Sequence, residues 1–286
     1  MTLKTALLQG QRLLEEAAVS EPRLTAEVLL AHATQKDRVW LFTHANDELI
    51  ELWWIHYGRY LHQRIEGSPT QYIVGKQEFY GRDFRVTTDV LIPRPETEHL
   101  IEAAIERLSA TSRSRLCNEP RASASGYQVL DVGTGSGCIA ITLALETNAQ
   151  VTATDISHAA LQVAKENAER LGATVHFLER DLIPEGRFDL IVSNPPYVPL
   201  TDKPTLQREV RDHEPELALY GGDDGLDIYR RLIPAASRAL NPGGWLMMEI
   251  GATQGAAVSA MLAAWAEVKI LDDLAGLPRI VIARVS

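Results

Sequence analysis

The spacing of apolar residues changes twice along the chain. From the start it is helical: Leu3, Leu7, Leu14 and Ala18 fall on one face, with Thr2 as the N-cap. Pro22 sits where a first-turn proline belongs, and Leu24, Val28 and Ala31 line one face behind it. Arg38 to Phe42 allows one or two helical turns. Asn46 or Asp47 is placed to cap a further helix carrying Leu49, Leu52, Trp53, His56 and Tyr60 on one stripe, and Gly67-Ser68-Pro69 stops it. Residues 1–68 therefore read as a small helical domain. Trp53 and Trp54 are adjacent, so they cannot both face its core.

Over residues 69–92 the period shortens. Tyr72-Ile73-Val74, Gln77-Glu78-Phe79-Tyr80 and Asp83-Phe84-Arg85-Val86 read as short strands with glycines at the turns, a connecting β-hairpin. Next, Pro93-Arg94-Pro95 leads into a helix with Leu100, Ile101, Ala104, Ile105 and Leu108, capped by Glu96 or Thr97. Arg94, between two prolines, is placed to close over a ligand. Residues 109–126 show no apolar period and read as an exposed loop. From there strand and helix alternate. Strands are expected at 128–132, 151–155, 174–178, 188–192, 245–250, 268–271 and 279–285, with a long polar loop over 198–226 and a helix that ends at Asn241-Pro242-Gly243-Gly244. This pattern predicts an α/β fold over residues 93–286: a doubly wound, mostly parallel sheet of seven strands.

Composition narrows the class. Of 286 residues, 45% are hydrophobic and 23% charged, which is ordinary for a globular protein. The net charge of −10 disfavours tight binding to a nucleic-acid backbone. No apolar run approaches membrane-spanning length, and the N-terminus leads into an amphipathic pattern rather than a signal peptide. The two cysteines, Cys117 and Cys138, show no pairing pattern, which suits a reducing cytoplasm. The histidines are scattered, so no metal site is expected. A cytoplasmic monomer without direct nucleic-acid or membrane partners is the expectation.

Two stretches carry candidate chemistry. Glycines 133, 135 and 137 follow the strand Gln128–Val132, where they allow a sharp turn and close approach of a ligand to the backbone. Asp155, at the tip of the next strand, is placed to accept both hydroxyls of a ribose. Together they point to an adenosine-type cofactor without fixing which one. A dinucleotide fingerprint wants glycine or alanine at position 138, where Cys138 stands, and no lysine follows as a phosphate-binding loop requires. Cys138 is most simply a small packing residue. The second stretch is Ser193-Asn194-Pro195-Pro196-Tyr197, directly after the apolar run Phe188–Val192. Two prolines cannot continue a strand, so the chain leaves the sheet stiffly at Asn194. The corner holds an amide and two backbone carbonyls in fixed places, which suits a substrate that is a planar NH2 group. In isolation a simple strand terminator explains it equally well; the glycine loop tips the balance.

Asp131-Val132-Gly133-Thr134-Gly135-Ser136-Gly137-Cys138-Ile139-Ala140 resembles motif I of class I S-adenosylmethionine-dependent methyltransferases, and Asn194-Pro195-Pro196-Tyr197 resembles their amino-methylating tetrapeptide. With Ile92-Pro93-Arg94-Pro95-Glu96-Thr97-Glu98, Glu214-Pro215-Glu216-Leu217-Ala218-Leu219 and Gly221-Gly222-Asp223-Asp224-Gly225-Leu226, nearly the whole chain is similar to the PrmC/HemK family, the peptide chain release factor glutamine N5-methyltransferases. The resemblance implies a Rossmann-like methyltransferase sheet behind a helical substrate-recognition domain. It implies that Gly133, Thr134, Gly135, Ser136 and Gly137 pass along the methionine part of S-adenosylmethionine, that Asp155 holds the ribose, and that Asp181 and Leu182 border the adenine. Leu182 offers only apolar contact where family members can carry an aromatic residue. Asn194 and the Pro195 carbonyl would accept from the glutamine NH2, near the methyl donor, with Pro196 shaping the turn and Tyr197 packing against the target. The product cofactor would be S-adenosylhomocysteine and the substrate a release factor with a Gly-Gly-Gln motif.

Other enzymes fit parts of this pattern. An adenine-N6 methyltransferase would use the same corner, but the acidic charge and the lack of a clear target-recognition domain stand against it. A methyltransferase for a glutamine of a ribosomal protein is a closer alternative. A nicotinamide oxidoreductase explains the glycines and Asp155 but leaves the corner idle, and a non-catalytic cofactor-binding module leaves it unexplained.

Overall fold

The computed structural model describes residues 1–115 and 126–286. It divides into two compact units, Met1–Lys76 with Gln207–His213, and Gln77–Leu206 with Glu214–Ser286.

The first unit is helical: α1 (Leu3–Glu16), α2 (Pro22–Thr34), α3 (Arg38–Thr43), α4 (Glu51–Ile65) and α5 (Thr70–Val74). The first two starts are as the sequence suggests, and α3 has a cap of its own. The Thr2 hydroxyl accepts the Thr5 N–H at 3.2 Å, Pro22 opens α2, and an Asp37 carboxylate oxygen accepts the Trp40 N–H at 2.7 Å. Leu3, Leu14, Leu29, Leu30, Tyr57 and Leu61 form the centre of its core. The buried Glu27 carboxylate is held by Arg23 and Arg38.

Several local expectations change here. Neither Asn46 nor Asp47 caps α4, whose N-cap is Ile50. The carbonyls of Ala45 and Asp47 instead accept the Lys4 and Leu3 N–H groups, tying this stretch to the start of α1. The inward face of α4 carries Tyr57, Leu61 and Arg64, while Leu52 is 58% exposed. Trp53 and Trp54 are both half-buried. Tyr72-Ile73-Val74 is helical rather than extended, because Pro69 starts a single turn and Gly75, at φ +75°, ends it.

The second unit begins at Gln77, within the hairpin of β1 (Lys76–Phe79) and β2 (Arg82–Arg85), and continues with a short 3-10 turn (Pro95–Thr97) and α6 (Glu98–Arg115). The expected loop from residue 109 is thus helical as far as Arg115; residues 116–125 lie outside the described residues. There follow β3 (Gln128–Val132), α7 (Cys138–Glu146), β4 (Gln150–Asp155), α8 (His158–Leu171), β5 (Val175–Glu179) and β6 (Phe188–Ser193). The long polar loop is broken by a 3-10 turn (Leu200–Thr205), by α9 (Arg208–His213), which belongs to the first unit, and by α10 (Glu216–Leu219). The chain ends with α11 (Asp227–Ala239), β7 (Leu240–Glu249), α12 (Gly255–Met261), β8 (Glu267–Asp272) and β9 (Pro278–Arg284). β7 begins earlier than expected. Asn241-Pro242-Gly243-Gly244 does not sit between helix and strand but forms an irregularity inside the strand, where its pairing with β6 shifts register.

Among the described residues the sheet has seven strands in the order β5-β4-β3-β6-β7-β9-β8. β9 runs antiparallel to β7 and β8, and the other pairs are parallel. Alternation along β3 explains the three layers: Val129 joins the core under α6, α7 and α8, whereas Leu130 and Val132 join the core under α11 and α12. Chain order reverses between β3 and β6, and a crevice at the carboxyl ends of such strands is where ligands bind in open α/β sheets. Among the described residues no helix is long and apolar enough to cross a membrane.

Candidate active site

At that crevice the second unit encloses a cleft of about 220 Å³. The turn after β3 forms its floor. Gly133 and Gly135 have φ +74° and +55°, and a Cβ on either would meet no atom within 4 Å, so their backbone faces open space. The turn is fixed from behind. The Gly133 and Thr134 N–H groups donate to the Thr154 carbonyl at 2.8 and 2.9 Å, and Gly137 N–H donates to the Thr134 carbonyl at 2.8 Å. Gly137 itself is not on the cleft wall. At φ +83°, a Cβ there would lie 2.8 Å from Ile141 Cδ1 and 3.2 Å from Ala164 Cβ, so this glycine serves the approach of α7 to α8.

Two carboxylates brace the loop. Asp131 is fully buried. Its Oδ2 accepts from the Thr134 hydroxyl at 2.6 Å and from the Ala140 N–H at 3.2 Å, while its Oδ1 has no hydrogen-bond partner among the described residues. Burial pushes its pKa up to about 7 despite those donors. Asp155, at the end of β4, lines the cleft. Its Oδ2 accepts the Gly135 N–H at 2.9 Å and its Oδ1 the Ser157 N–H at 2.8 Å. Burial raises its pKa, and those backbone donors oppose the rise. Thr134, Ser136, Asp181 and Leu182 complete this end of the wall. Leu182 has a left-handed backbone, φ +65°, and its carbonyl accepts the Thr154 hydroxyl at 2.8 Å. Asp181 pairs with Arg231 at 2.5 Å.

The proline corner forms the opposite wall. The Ser193 hydroxyl donates to the Val132 carbonyl at 2.7 Å, fastening the end of β6 to the root of the glycine loop. Asn194, Pro195 and Pro196 line the cleft. Tyr197 is not among the lining residues: its phenol donates to Glu249 Oε1 at 3.1 Å, and its ring packs on the core beneath α11. Gln254 Nε2 donates to the Tyr197 and Gly225 carbonyls at 2.9 and 3.2 Å, which pins the exit of the corner. Asn194 Nδ2 donates to the Thr97 hydroxyl at 3.1 Å, and that hydroxyl donates to Glu249 Oε2 at 2.7 Å. Thr97 therefore spends its side chain on the corner and not on capping α6. Arg94 lines the cleft and donates to the buried Glu214 carboxylate at 2.7 Å.

The structure thus gathers Gly133, Thr134, Gly135, Ser136, Asp155, Asp181, Leu182, Asn194, Pro195 and Pro196 around one cleft, and sets Gly137 and Tyr197 behind it. The sequence offers Thr97 only as a helix cap and gives no role to Glu249 or Arg231. Glu249 had a visible signal: it is the one charge in the apolar run Trp245–Ile250.

This geometry can be set beside known proteins. Residues 5–75 match the family described as the PrmC N-terminal domain, and residues 114–211 the one described as the methyltransferase small domain. A solved methyltransferase from Pyrococcus furiosus, 21% identical, has a TM-score of 0.51 over 72% of this chain and 90% of its own, a likeness of fold. The release factor glutamine methyltransferase of Koribacter versatilis is 47% identical over 289 residues, covering 99% of both chains. That of Moorella thermoacetica is 43% identical over 292 residues, covering 99% of this chain and 98% of its own. At that identity over essentially full length, with the glycine loop and the Asn194 corner on one cleft, the chain belongs to the release factor glutamine methyltransferase family.

Proposed function

We propose that this chain methylates the side-chain amide nitrogen, N5, of the glutamine in the Gly-Gly-Gln motif of peptide chain release factors, and so modulates translation termination. The observation that carries the reading is the shared cleft, which the glycine loop and Asp155 line together with Asn194 and Pro195. The residues fit S-adenosylmethionine. Gly133 and Gly135 leave room above the backbone, and Asp155 still has lone pairs for ribose hydroxyls beyond the two backbone N–H groups it accepts. Thr134 and Ser136 would line the methionine part, with Asp181 and Leu182 beside the adenine. S-adenosylmethionine, when bound, supplies a methyl group already activated on a sulfonium.

A glutamine amide nitrogen is a poor nucleophile, because its lone pair is delocalised into the carbonyl. On this reading Asn194 Oδ1 and the Pro195 carbonyl accept the two N–H groups of the substrate amide. They fix the nitrogen in place and stabilise the positive charge that develops on it. The methylated amide then gives up its extra proton readily, so neutral acceptors suffice and neither a strong base nor a metal is assigned a part. Tyr197 would act by holding the corner from behind.

Residues 1–68 are assigned to recognition of the release factor, 69–92 to the connection, and 93–286 to cofactor binding and chemistry. Exposed apolar side chains on the helical unit support this: Val39 is 71% exposed, Phe42 49%, Leu52 58% and Ile55 59%. A substrate of the translation machinery puts the reaction in the cytoplasm.

The test offers radiolabelled S-adenosylmethionine with a release factor, a ribosomal protein or DNA as acceptor. Label on the release factor, located by mass spectrometry on the glutamine of Gly-Gly-Gln, is the expected result. Label on DNA or a ribosomal protein alone would overturn the reading.

A further inference from the structure

We infer that Thr97 and Glu249 are positioning residues that decide which end of the Asn194 amide faces the substrate. The inference rests on the reading of Asn194 Oδ1 as an acceptor for the glutamine NH2.

An asparagine amide has two ends of nearly equal size, one an acceptor and one a double donor. A flipped Asn194 would present N–H to the N–H of the substrate and repel it. The orientation therefore has to be imposed, and the Pro195-Pro196 backbone does not impose it, because rotating the terminal amide leaves the backbone untouched. The hydrogen-bond chain does. Glu249 as a carboxylate can only accept. Its Oε2 takes the single hydrogen of the Thr97 hydroxyl at 2.7 Å. That hydroxyl is then left with lone pairs only, so the Asn194 group 3.1 Å away must be the NH2. Oδ1 becomes the end available to a substrate.

The same carboxylate holds the other end of the tetrapeptide, since its Oε1 accepts from the Tyr197 phenol at 3.1 Å. Glu249 is 1% exposed on a strand whose neighbours Leu246, Met247, Met248 and Ile250 are buried, and an uncompensated carboxylate there would be costly. An apolar side chain would fill the space without that cost, but it could not order two donors on opposite ends of one corner. Around it stand Arg279, Glu96 and Tyr229, the last donating its phenol to the Glu249 backbone carbonyl at 2.8 Å. Burial raises the Glu249 pKa, and the hydrogen bonds from Thr97 and Tyr197 and the charge of Arg279 pull it back toward the ionised form this arrangement needs.

The discriminating variants are Thr97→Val, which keeps shape and removes the hydroxyl, and Thr97→Ser, which keeps the hydroxyl and removes the methyl. With saturating S-adenosylmethionine and a release factor, Thr97→Val should lower the single-turnover rate roughly 10- to 100-fold, the scale for loss of a preorganised polar group acting through one neighbour. Cofactor affinity should stay near wild type, and Thr97→Ser should restore most of the rate. Thr97→Val at full rate, or Thr97→Ser as slow as Thr97→Val, would overturn the proposal. A second measurement needs no substrate. In the nitrogen-15 spectrum the Asn194 side-chain NH2, assigned by its loss in Asn194→Ala, should show a nuclear Overhauser contact to the Thr97 methyl group and should shift in Glu249→Gln. A missing contact in the wild type also overturns it. Absence of any transfer by the wild-type enzyme would instead count against the functional reading, and the spectrum would still decide the orientation.

Discussion

Asp155 Oδ2 accepts the backbone N–H of Gly135 at 2.9 Å, so the carboxylate assigned to the cofactor also braces the loop that would lie along it. Removing it should act twice. Asp155→Ala loses an acceptor for the ribose and frees the glycine turn, and S-adenosylmethionine binding should weaken by roughly 1–3 kcal/mol, the scale of hydrogen bonds to a charged group. Asp155→Asn keeps one acceptor oxygen and should fall between Ala and wild type. Isothermal calorimetry with S-adenosylmethionine or its demethylated product measures both. Unchanged affinity in Asp155→Ala would remove Asp155 from the cofactor site.

Asn194→Ala tests the corner. Ser193, Pro195, Pro196 and Gln254 still shape the turn, so fold and most cofactor binding should survive. The turnover number should drop by roughly 10²–10³, as for deletion of one preorganised polar group. Asn194→Asp keeps acceptors but adds a negative charge beside the cationic cofactor, which favours the ground state over a transition state in which that charge is dispersed. Turnover should suffer more than cofactor affinity. Near-normal methylation of the release factor by Asn194→Ala would reduce the corner to a strand terminator.

What the sequence revealed depended on the range of the interaction. β3 and β6 are short, largely apolar runs, β4 alternates apolar with polar residues, and the glycine loop with Asp155 keeps a spacing set by one strand–helix–strand unit, so strands and loop are legible in the sequence. Tyr72-Ile73-Val74 misled because β-branched and aromatic residues favour strands, while Pro69 and Gly75 confine this stretch to one helical turn. Locally Thr97 reads as a helix cap, because its true partner, Glu249, lies 152 residues away and no local pattern reports that pairing. The family resemblance implies that Tyr197 packs against the target; only the fold shows its phenol turned back to Glu249.

The glycines of the loop should fail in different ways. At Gly137 a Cβ would press on Ile141 and Ala164 with φ at +83°, so Gly137→Ala combines backbone strain with overpacking and should cost roughly 2–4 kcal/mol of stability. Gly133→Ala meets open space at φ +74° and should cost only about 1–2 kcal/mol in the fold, while its methyl group projects into the cleft. Denaturant midpoints should therefore single out Gly137→Ala, and cofactor calorimetry should single out Gly133→Ala. Equal loss of stability in both would contradict the packing role given to Gly137.

Asp131 makes stability depend on pH. Its pKa is raised to about 7 in the fold by burial, against an ordinary aspartate value of 3.8. Between those values the folded protein holds a proton that the unfolded chain has released. Stability contributed by this group is therefore largest at the acid end of that window and falls as pH rises through it, by roughly 4–5 kcal/mol in total, with no further change above the folded pKa. Asp131→Asn removes the titration and keeps one oxygen for the Thr134 hydroxyl and the Ala140 N–H. Its new NH2 takes the place of Oδ1, which already lacks a partner, so the variant carries a constant penalty at every pH. The difference between variant and wild type, not either alone, is the readout, because Asp155 and Glu249 are also shifted upward and remain in both proteins. Urea unfolding from pH 4 to 8 should show Asp131→Asn gaining steadily on the wild type up to about pH 7 and then running parallel to it. A gap that stays constant across the series would mean that Asp131 ionises in the fold as it does in water, and that the loop rather than burial sets its charge.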